Sequence, residues 1–122
     1  MTTKTILTVD DSVSIRDMLS SVLLNAGYHV IQATDGLEGL ECLKAGSVDL
    51  VITDINMPHL DGFGFIERIR RDSRHRAIPI LVLSSEEGDH NRKRAQAAGA
   101  TGWIAKPFNP DQLVGAVRRV TA

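Results

Sequence analysis

The chain has 122 residues, of which 43% are hydrophobic and 24% charged, and its net charge is −1 at pH 7. This length suits a single domain around one core, and the composition excludes a disordered or membrane-embedded protein. The nearly balanced charge gives no overall field that attracts nucleic acid, and the apolar runs fall short of the roughly 18 residues that a membrane span needs.

Five short segments rich in Val and Ile predict β-strands, and segments of helical length separate them. In chain order, the predicted strands are Ile6 to Val9, His29 to Ala33, Leu50 to Thr53, Ile80 to Leu83 and Gly102 to Ala105. The pattern is therefore a strand and a helix repeated five times.

Apolar residues at helical spacing predict the intervening helices. The first helix should bury one stripe, formed by Ile15, Met18, Leu19, Val22 and Leu23. Shorter stripes indicate the second, third and fifth helices: Leu37, Leu40 and Leu43; Phe65, Ile66 and Ile69; Leu113, Ala116, Val117 and Val120. The fourth, around His90 to Ala98, offers only small alanines. Gly27 predicts the end of the first helix, and Asn109 with Pro110 predicts the start of the last.

Strands that alternate with helices predict the α/β fold class, with a five-stranded parallel sheet covered by helices on both faces. The common doubly wound strand order for five strands is 2-1-3-4-5, with five helices. In that order a ligand crevice lies at the carboxyl ends of strands 1 and 3. The sequence should therefore carry its functional residues at those ends.

Polar residues do follow the predicted strands at that edge. Asp10 and Asp11 end strand 1, Asp54 ends strand 3, Ser84 follows strand 4 and Lys106 follows strand 5. Because the carboxyl ends of parallel strands share one edge of the sheet, these side chains should converge on one site. Asp11 or Ser12 could instead simply cap the first helix, which is a common role for such residues.

Three clustered carboxylates repel one another, so a hard cation with oxygen ligands is expected, Mg²⁺ first and Mn²⁺ as a substitute. One carboxylate could then act as a nucleophile toward phosphorus, and Asp54 is the best candidate because its strand neighbours the strand that supplies the other two. Lys106 would neutralise charge on the transferred group, and the Ser84 hydroxyl could donate to one of its oxygens.

With these residues at its strand ends, the chain resembles the receiver domains of two-component response regulators, especially the stand-alone, CheY-like chemotaxis type. The resemblance covers all 122 residues and rests on these motifs: Asp10-Asp11, Asp54-Ile55-Asn56-Met57-Pro58 leading to Asp61-Gly62, Ser84, and Lys106-Pro107. It implies that Asp54 accepts a phosphoryl group from a phosphohistidine on a partner histidine kinase.

The resemblance also implies the residues that hold the ligands. Mg²⁺ would be bound by Asp11, Asp54 and the backbone carbonyl of Asn56, with Asp10 acting through water. The phosphoryl oxygens would be held by Lys106, the Ser84 hydroxyl and the backbone N–H groups of Asn56 and Ser85. These assignments agree with the electrostatic argument from the strand ends.

Two further roles follow from the resemblance. Ser84 and Trp103 occupy the family's switch positions, although the indole is larger than the usual Tyr or Phe, and their movement would remodel the surface of helix 4, strand 5 and helix 5. Asn56 and Glu86 occupy positions that influence water's access to the acyl phosphate, and the pair predicts self-dephosphorylation within seconds to minutes.

The chain ends after the fifth helix, so we expect a single receiver domain over residues 1–122 with no output domain, which signals through protein partners such as a flagellar motor switch protein. A phosphate sink or a phosphorelay intermediate would use the same site. A small Mg²⁺-dependent phosphohydrolase would want an acid where the chain has Asn56. A flavodoxin-like carrier would want a phosphate-binding loop where it has Asp10 and Asp11.

The remaining polar residues predict little beyond solvent contact. Lone Cys42 suits a small buried hydrophobe and a reducing compartment, so a cytoplasmic protein is expected. We also expect a monomer without nucleic-acid or membrane contacts. Two basic groups are interpreted as solvated helix surfaces: Arg68, Arg70, Arg71, Arg74 and Arg76, and Arg92, Lys93 and Arg94. The histidines, His29, His59, His75 and His90, have no metal-ligand spacing and are assigned to surfaces or loops.

Overall fold

A computed structural model describes residues 3–85 and 89–122. Within these ranges the strands are β1 (Thr5–Val9), β2 (His29–Ala33), β3 (Leu50–Thr53), β4 (Ile80–Ser84) and β5 (Gly102–Ala105). The helices are α1 (Val13–Asn25), α2 (Gly36–Ala45), α3 (Gly62–Arg71), α4 (Asp89–Ala98) and α5 (Pro110–Thr121). Each predicted strand is present to within one residue at either end.

The strands form one parallel sheet in the order β2-β1-β3-β4-β5, as predicted. The central strand β3 is buried along its whole length. One core packs on each face of the sheet: Phe65, Ile66 and Ile69 of α3 belong to one, and Leu19 and Leu23 of α1 belong to the other, together with α5. The α/β fold class is therefore confirmed.

Polar side chains define where the helices begin. Ser12, Asp35, Asp61 and Asn109 are the N-caps of α1, α2, α3 and α5, and each side chain accepts a hydrogen bond from a backbone N–H of the first turn. Gly27 follows the end of α1 with a φ of 95°, in the left-handed conformation that glycine adopts without strain. The predicted helix ends at Gly27 and Asn109 are confirmed.

The predicted buried stripe of α1 is wrong at one position. Met18 is 50% exposed, whereas Leu19 and Leu23 are fully buried. Successive helical residues are rotated by about 100°, so a face centred on Leu19 turns Met18 toward its edge. Leu37, in the first turn of α2, is likewise exposed, whereas Cys42 is half-buried against the core and burial raises the pKa of its thiol.

Arg70 is not the solvated side chain that the sequence indicates. Its guanidinium donates hydrogen bonds to the carbonyl oxygens of Ile78 (2.6 Å), Arg76 (3.0 Å) and Gly99 (3.0 Å). Gly99, with a φ of 118°, packs so closely on Arg70 that a Cβ there would overlap it. Arg70 therefore ties the end of α3 to the turn before β4 and to the end of α4.

The fourth helix is weakly anchored, as its alanine-rich sequence predicts. Among the side chains described for α4, Ala95 is the buried one. Arg94 is exposed, but its guanidinium carbon lies 4.0 Å from the centre of the Phe63 ring on α3, so it is more than a solvated charge. In the described part of the chain, no helix has the length and apolar character needed to cross a membrane.

Candidate functional site

The carboxyl ends of the strands bring the acidic residues together. The backbone N–H of Asp10 donates to Ala33 (3.1 Å) and that of Asp54 donates to Val9 (2.9 Å), so both residues continue the sheet by one step. Carboxylate oxygens of Asp10, Asp11 and Asp54 all lie within 4.8 Å of one another. The predicted convergence of these three residues is therefore present in the structure.

The three carboxylates lie in different environments. Asp10 is 1% exposed and Asp54 is 9% exposed, whereas Asp11 is open to solvent. The cluster is thus a shallow site with a buried floor and an open rim. Such a site can admit an ion and a second ligand from solvent.

Lys106 bridges the two buried carboxylates. Its Nζ lies 2.9 Å from Asp10 Oδ2 and 3.2 Å from Asp54 Oδ2. Burial would lower the pKa of Lys106, but hydrogen bonding to Asp10 and the charge of Asp54 outweigh it and raise the pKa above its ordinary value. The ammonium group is therefore a permanent positive charge within the site at neutral pH.

The Asp54 carboxylate has two different oxygens. Oδ1 accepts a hydrogen bond of 2.7 Å from the N–H of Ile55, and Oδ2 faces Lys106. Burial raises the pKa of Asp54, and the Ile55 N–H and the Lys106 charge only partly offset this effect. The ionised carboxylate is consequently held in a site that does not fully compensate its charge, which favours reaction with an electrophile or binding of a further cation.

The donor set fits a magnesium ion. Among the residues that the structure describes, the cluster offers carboxylate oxygens and neither sulfur nor imidazole, and this chemistry suits a hard divalent cation. Asn56, whose backbone carbonyl is predicted to be a further ligand, is exposed and lies two residues after Asp54, in the loop between β3 and α3. An ion held here would also offset the repulsion between Asp11 and the two buried carboxylates.

The turn that carries the acidic pair is fixed from α1. Asp10 Oδ1 accepts a hydrogen bond of 2.9 Å from the N–H of Ser12, which is the N-cap of α1. Arg16 donates from Nη1 to the Asp10 carbonyl at 2.6 Å. Sequence reasoning missed Arg16, and a basic residue one turn into the helix after an acidic turn is the signal that could have found it.

A glycine closes the other side of the site. A Cβ at Gly62 would collide with the carbonyl oxygen of Asp54 and with the Cα of Ile55, so only glycine fits there. The Gly62 N–H donates to the Ile55 carbonyl at 2.8 Å. This hydrogen bond joins the two ends of the loop that contains Asn56. In the sequence, Gly62 stands out only as part of the Asp61-Gly62 motif, and no pattern there reports this close approach.

The remaining predicted residues lie around the same edge of the sheet. Ser84 is buried at the end of β4, and its carbonyl accepts from the Lys106 N–H at 3.0 Å. Ser85 follows it and is exposed. Trp103 is half-buried on β5, opposite Val82 of β4. Glu86 lies outside the described residues.

A family model for the response regulator receiver domain matches residues 6–118. The chain belongs to this family. Receiver domains of this family accept a phosphoryl group in two-component signalling rather than turning over a substrate as enzymes do, and a phosphodonor histidine kinase is therefore implied.

Solved receiver structures resemble this receiver closely. Chemotaxis protein CheY4 of Vibrio cholerae is 42% identical, with a TM-score of 0.93 over 98% of this chain and 99% of that chain. The receiver domain of sensor histidine kinase PA1611 from Pseudomonas aeruginosa is 26% identical, with a TM-score of 0.91 over 98% of both chains, and holds a magnesium ion in its active-site cleft.

Curated relatives of this receiver differ in length. Chemotaxis protein CheY1 of Helicobacter pylori is 37% identical over 110 residues, which are 88% of this chain and 89% of CheY1. The probable transcriptional regulator ycf27 of Guillardia theta is 39% identical over 119 residues, which are 98% of this chain but 46% of that protein. The chain thus spans about half the length of several curated relatives that it matches.

Proposed function

We propose that the protein is a phosphorylation switch in which Asp54 accepts a phosphoryl group from a phosphohistidine of a histidine kinase. The observation that carries the proposal is the placement of the Asp54 carboxylate between the Lys106 ammonium, 3.2 Å away, and the acidic pair, within 4.8 Å. This arrangement offers a nucleophilic oxygen with positive charge beside it, which phosphoryl transfer requires.

The transfer forms one bond and breaks another. An oxygen of Asp54 attacks phosphorus, and the new P–O bond replaces the P–N bond of the phosphohistidine. The kinase imidazole, protonated on its other nitrogen, leaves as a neutral ring. Lys106 exchanges its contact with Asp54 Oδ2 for an oxygen of the arriving phosphoryl group, and so keeps its charge against the negative charge that moves.

The carboxylates of Asp11 and Asp54 and the backbone carbonyl of Asn56 are assigned to the metal, and Asp10 acts on it through water. When bound, Mg²⁺ supplies positive charge to the phosphoryl oxygens and relieves carboxylate repulsion, and Mn²⁺ is expected to substitute for it. The Ser84 hydroxyl and the N–H groups of Asn56 and Ser85 complete the binding of the phosphoryl oxygens.

Phosphorylation changes the surface formed by α4, β5 and α5 in this proposal. Trp103 lies beside a cavity of about 190 Å³ between α4 and β5, whose other lining residues include Ala95 and Gln96. Movement of Ser84 toward the phosphoryl group would give the indole a new position, and the weak anchoring of α4 would let the helix follow.

We propose a cytoplasmic monomer that passes its signal to a protein partner, a flagellar motor switch protein first, without binding nucleic acid itself. The similarity to CheY4 and CheY1, both of which the chain matches over nearly their whole length, supports the chemotaxis role. The half-length match to ycf27 favours a second candidate, the receiver part of a transcriptional regulator, and a phosphate sink or relay intermediate would share the same chemistry.

A titration tests the chemistry directly. Mg²⁺ and then acetyl phosphate are added to wild type and Asp54→Asn while the emission of Trp103 and the intact mass are recorded. We expect a Mg²⁺-dependent emission change and the added mass of one phosphoryl group in wild type, and no added mass in Asp54→Asn. Wild type that gains no phosphoryl group in Mg²⁺ would contradict the proposal.

The same experiment measures the lifetime of the phosphoryl group. We propose self-dephosphorylation within seconds to minutes, on the basis of Asn56 and Glu86. Removal of the acetyl phosphate should therefore return the mass and the emission to their starting values on that timescale. A phosphorylated form that persists for many hours would refute this part of the proposal.

A further inference from the structure

The loop between β3 and α3 contains a strained turn at His59. The N–H of Leu60 donates to the Pro58 carbonyl at 2.7 Å, across His59, whose φ is 68°. A turn closed over three residues with a positive φ at its centre is a rare and strained form. Strained turns near functional sites persist only where neighbouring contacts hold them, so contacts from the surrounding structure must stabilise the turn at His59.

A side-chain contact holds this turn to α2. Nδ1 of His59 lies 2.8 Å from Asp35 Oδ2, and because an ionised carboxylate can only accept, Nδ1 carries the proton. The Asp35 side chain is 12% exposed, and its other oxygen caps α2 by accepting from the Glu38 N–H at 2.9 Å. Hydrogen bonds from the Glu38 N–H and from His59 hold the pKa of Asp35 below its ordinary value.

Backbone packing supports the same attachment. A Cβ at Gly36, the first residue of α2, would approach the Leu60 carbonyl oxygen to 2.9 Å, so the helix and the turn are in close contact. At its base, the loop is closed by the Gly62 N–H on the Ile55 carbonyl. The side that carries Asn56 is exposed. The contact with α2 is therefore well placed to fix the shape of the loop.

We propose that His59 and Asp35 form a clip, defined as the Nδ1–H to Oδ2 hydrogen bond between them, that positions the Asn56 carbonyl for the metal. His59 touches neither the metal ligands nor the reacting atoms and is a positioning residue. The clip rests on the proposed function in one respect, namely that the Asn56 carbonyl is a magnesium ligand. Its effect on loop order is independent of that function.

Three variants separate the hydrogen bond from the backbone strain. His59→Gly removes the donor but accepts the positive φ without strain. His59→Asn keeps a side-chain N–H at the position of Nδ1 and tolerates a positive φ. Asp35→Ser keeps an N-cap for α2 but lacks the second oxygen that His59 needs. His75→Gly, which removes a His–Asp pair beyond the other end of α3, is the matched control.

Two measurements test the clip. Amide hydrogen exchange at Leu60 and Gly62 is recorded without metal, and the Mg²⁺ concentration at half-saturation is recorded from Trp103 emission. We expect His59→Gly and Asp35→Ser to speed exchange several-fold and to weaken Mg²⁺ binding about tenfold, as loss of an outer contact to a metal site does. The double variant should be no worse than either single variant. His59→Asn keeps the donor and His75→Gly leaves the clip untouched, so exchange rates and Mg²⁺ half-saturation in both variants should stay within about twofold of wild type.

Either of two results would overturn the clip: exchange in His59→Gly equal to that of wild type, or His59→Asn as impaired as His59→Gly. Failure of the proposed function has a different signature. In that case Mg²⁺ would leave the wild-type emission unchanged and no phosphoryl group would be gained, while the exchange data would still show whether His59 and Asp35 order the loop.

Discussion

The replacement of Lys106 by methionine removes the positive charge that the structure places beside both Asp10 and Asp54. At Nζ–Oδ2 distances of 2.9 and 3.2 Å, each contact corresponds to about 5 to 6 kcal/mol of gross Coulomb attraction at an effective dielectric constant of about 20. Desolvation cancels much of this attraction. Removal of one partner from a buried ion pair nevertheless costs about 3 to 5 kcal/mol, because the remaining charges stay buried without compensation.

The expected loss in Lys106→Met is therefore about 3 to 5 kcal/mol of the free energy of unfolding at pH 7 without metal. Because the pKa of Lys106 is raised in the folded protein, its contribution is complete at pH 7 and disappears only as the pH rises through that raised pKa. Because the pKa of Asp54 is raised by burial, the loss should shrink at the acid end as Asp54 becomes protonated.

Urea unfolding with and without Mg²⁺ measures the stability that Lys106→Met loses and the part that the cation restores. Since a divalent cation can replace the missing ammonium charge, Mg²⁺ should restore more stability to Lys106→Met than it adds to wild type. Lys106→Met should also reach half-saturation at a lower Mg²⁺ concentration than wild type. Equal unfolding free energies for the two proteins without metal, or an equal gain from Mg²⁺, would refute the idea that Lys106 acts as an internal counter-ion for the acidic cluster.

Three other substitutions give independent tests. Asp54→Asn should raise the free energy of unfolding of the metal-free protein at pH 7, because burial raises the Asp54 pKa and Lys106 keeps Asp10 as its partner at 2.9 Å. In the wild type, the stability contributed by Asp54 falls as the pH rises through the window between its ordinary and raised pKa, so urea unfolding at several pH values should show the gain vanish well below pH 4. Arg70→Met should lower the free energy of unfolding by about 2 to 3 kcal/mol in the same assay, because several backbone carbonyls lose their hydrogen-bond donor, whereas Arg71→Met at an exposed position should lower it by less than about 0.5 kcal/mol. Equal losses would be evidence that the hydrogen bonds of Arg70 do not stabilise the fold. Gly62→Ala should lower the free energy of unfolding by about 1 to 3 kcal/mol, because its Cβ overpacks against the Asp54 carbonyl. Gly115→Ala in α5, whose Cβ would meet nothing within 4 Å, should be neutral or stabilising. A Gly62→Ala protein as stable as wild type in thermal unfolding would rule out the close approach.

The sheet and the acidic cluster could be predicted because local patterns determine both. Buried β-branched runs mark parallel strands, and strand order then places Asp10, Asp54 and Lys106 at one edge without any knowledge of side-chain contacts. The exposed position of Met18 was missed because a helical stripe identifies a face more securely than its edges.

The contacts that support the site could not be predicted in the same way. Arg70 donates to backbone carbonyls, and every residue has a carbonyl, so no partner residue type marks these contacts in the sequence. His59 and Asp35 are 24 positions apart and meet only because the loop after β3 folds against α2. Such pairs depend on tertiary geometry, which no periodicity in the chain reports.

The tie between Arg70 and Gly99 gives α4 a fixed end. The helix spans ten residues, Asp89–Ala98, and is therefore about 15 Å long. If it turns as a rigid rod about its tied end, a tilt of about 10° displaces the opposite end by about 2.6 Å, whereas the residues beside Gly99 hardly move. Arg70 would thus act as the pivot of this motion, so the same tilt moves the amino-terminal turn of α4 far more than the turn beside Gly99.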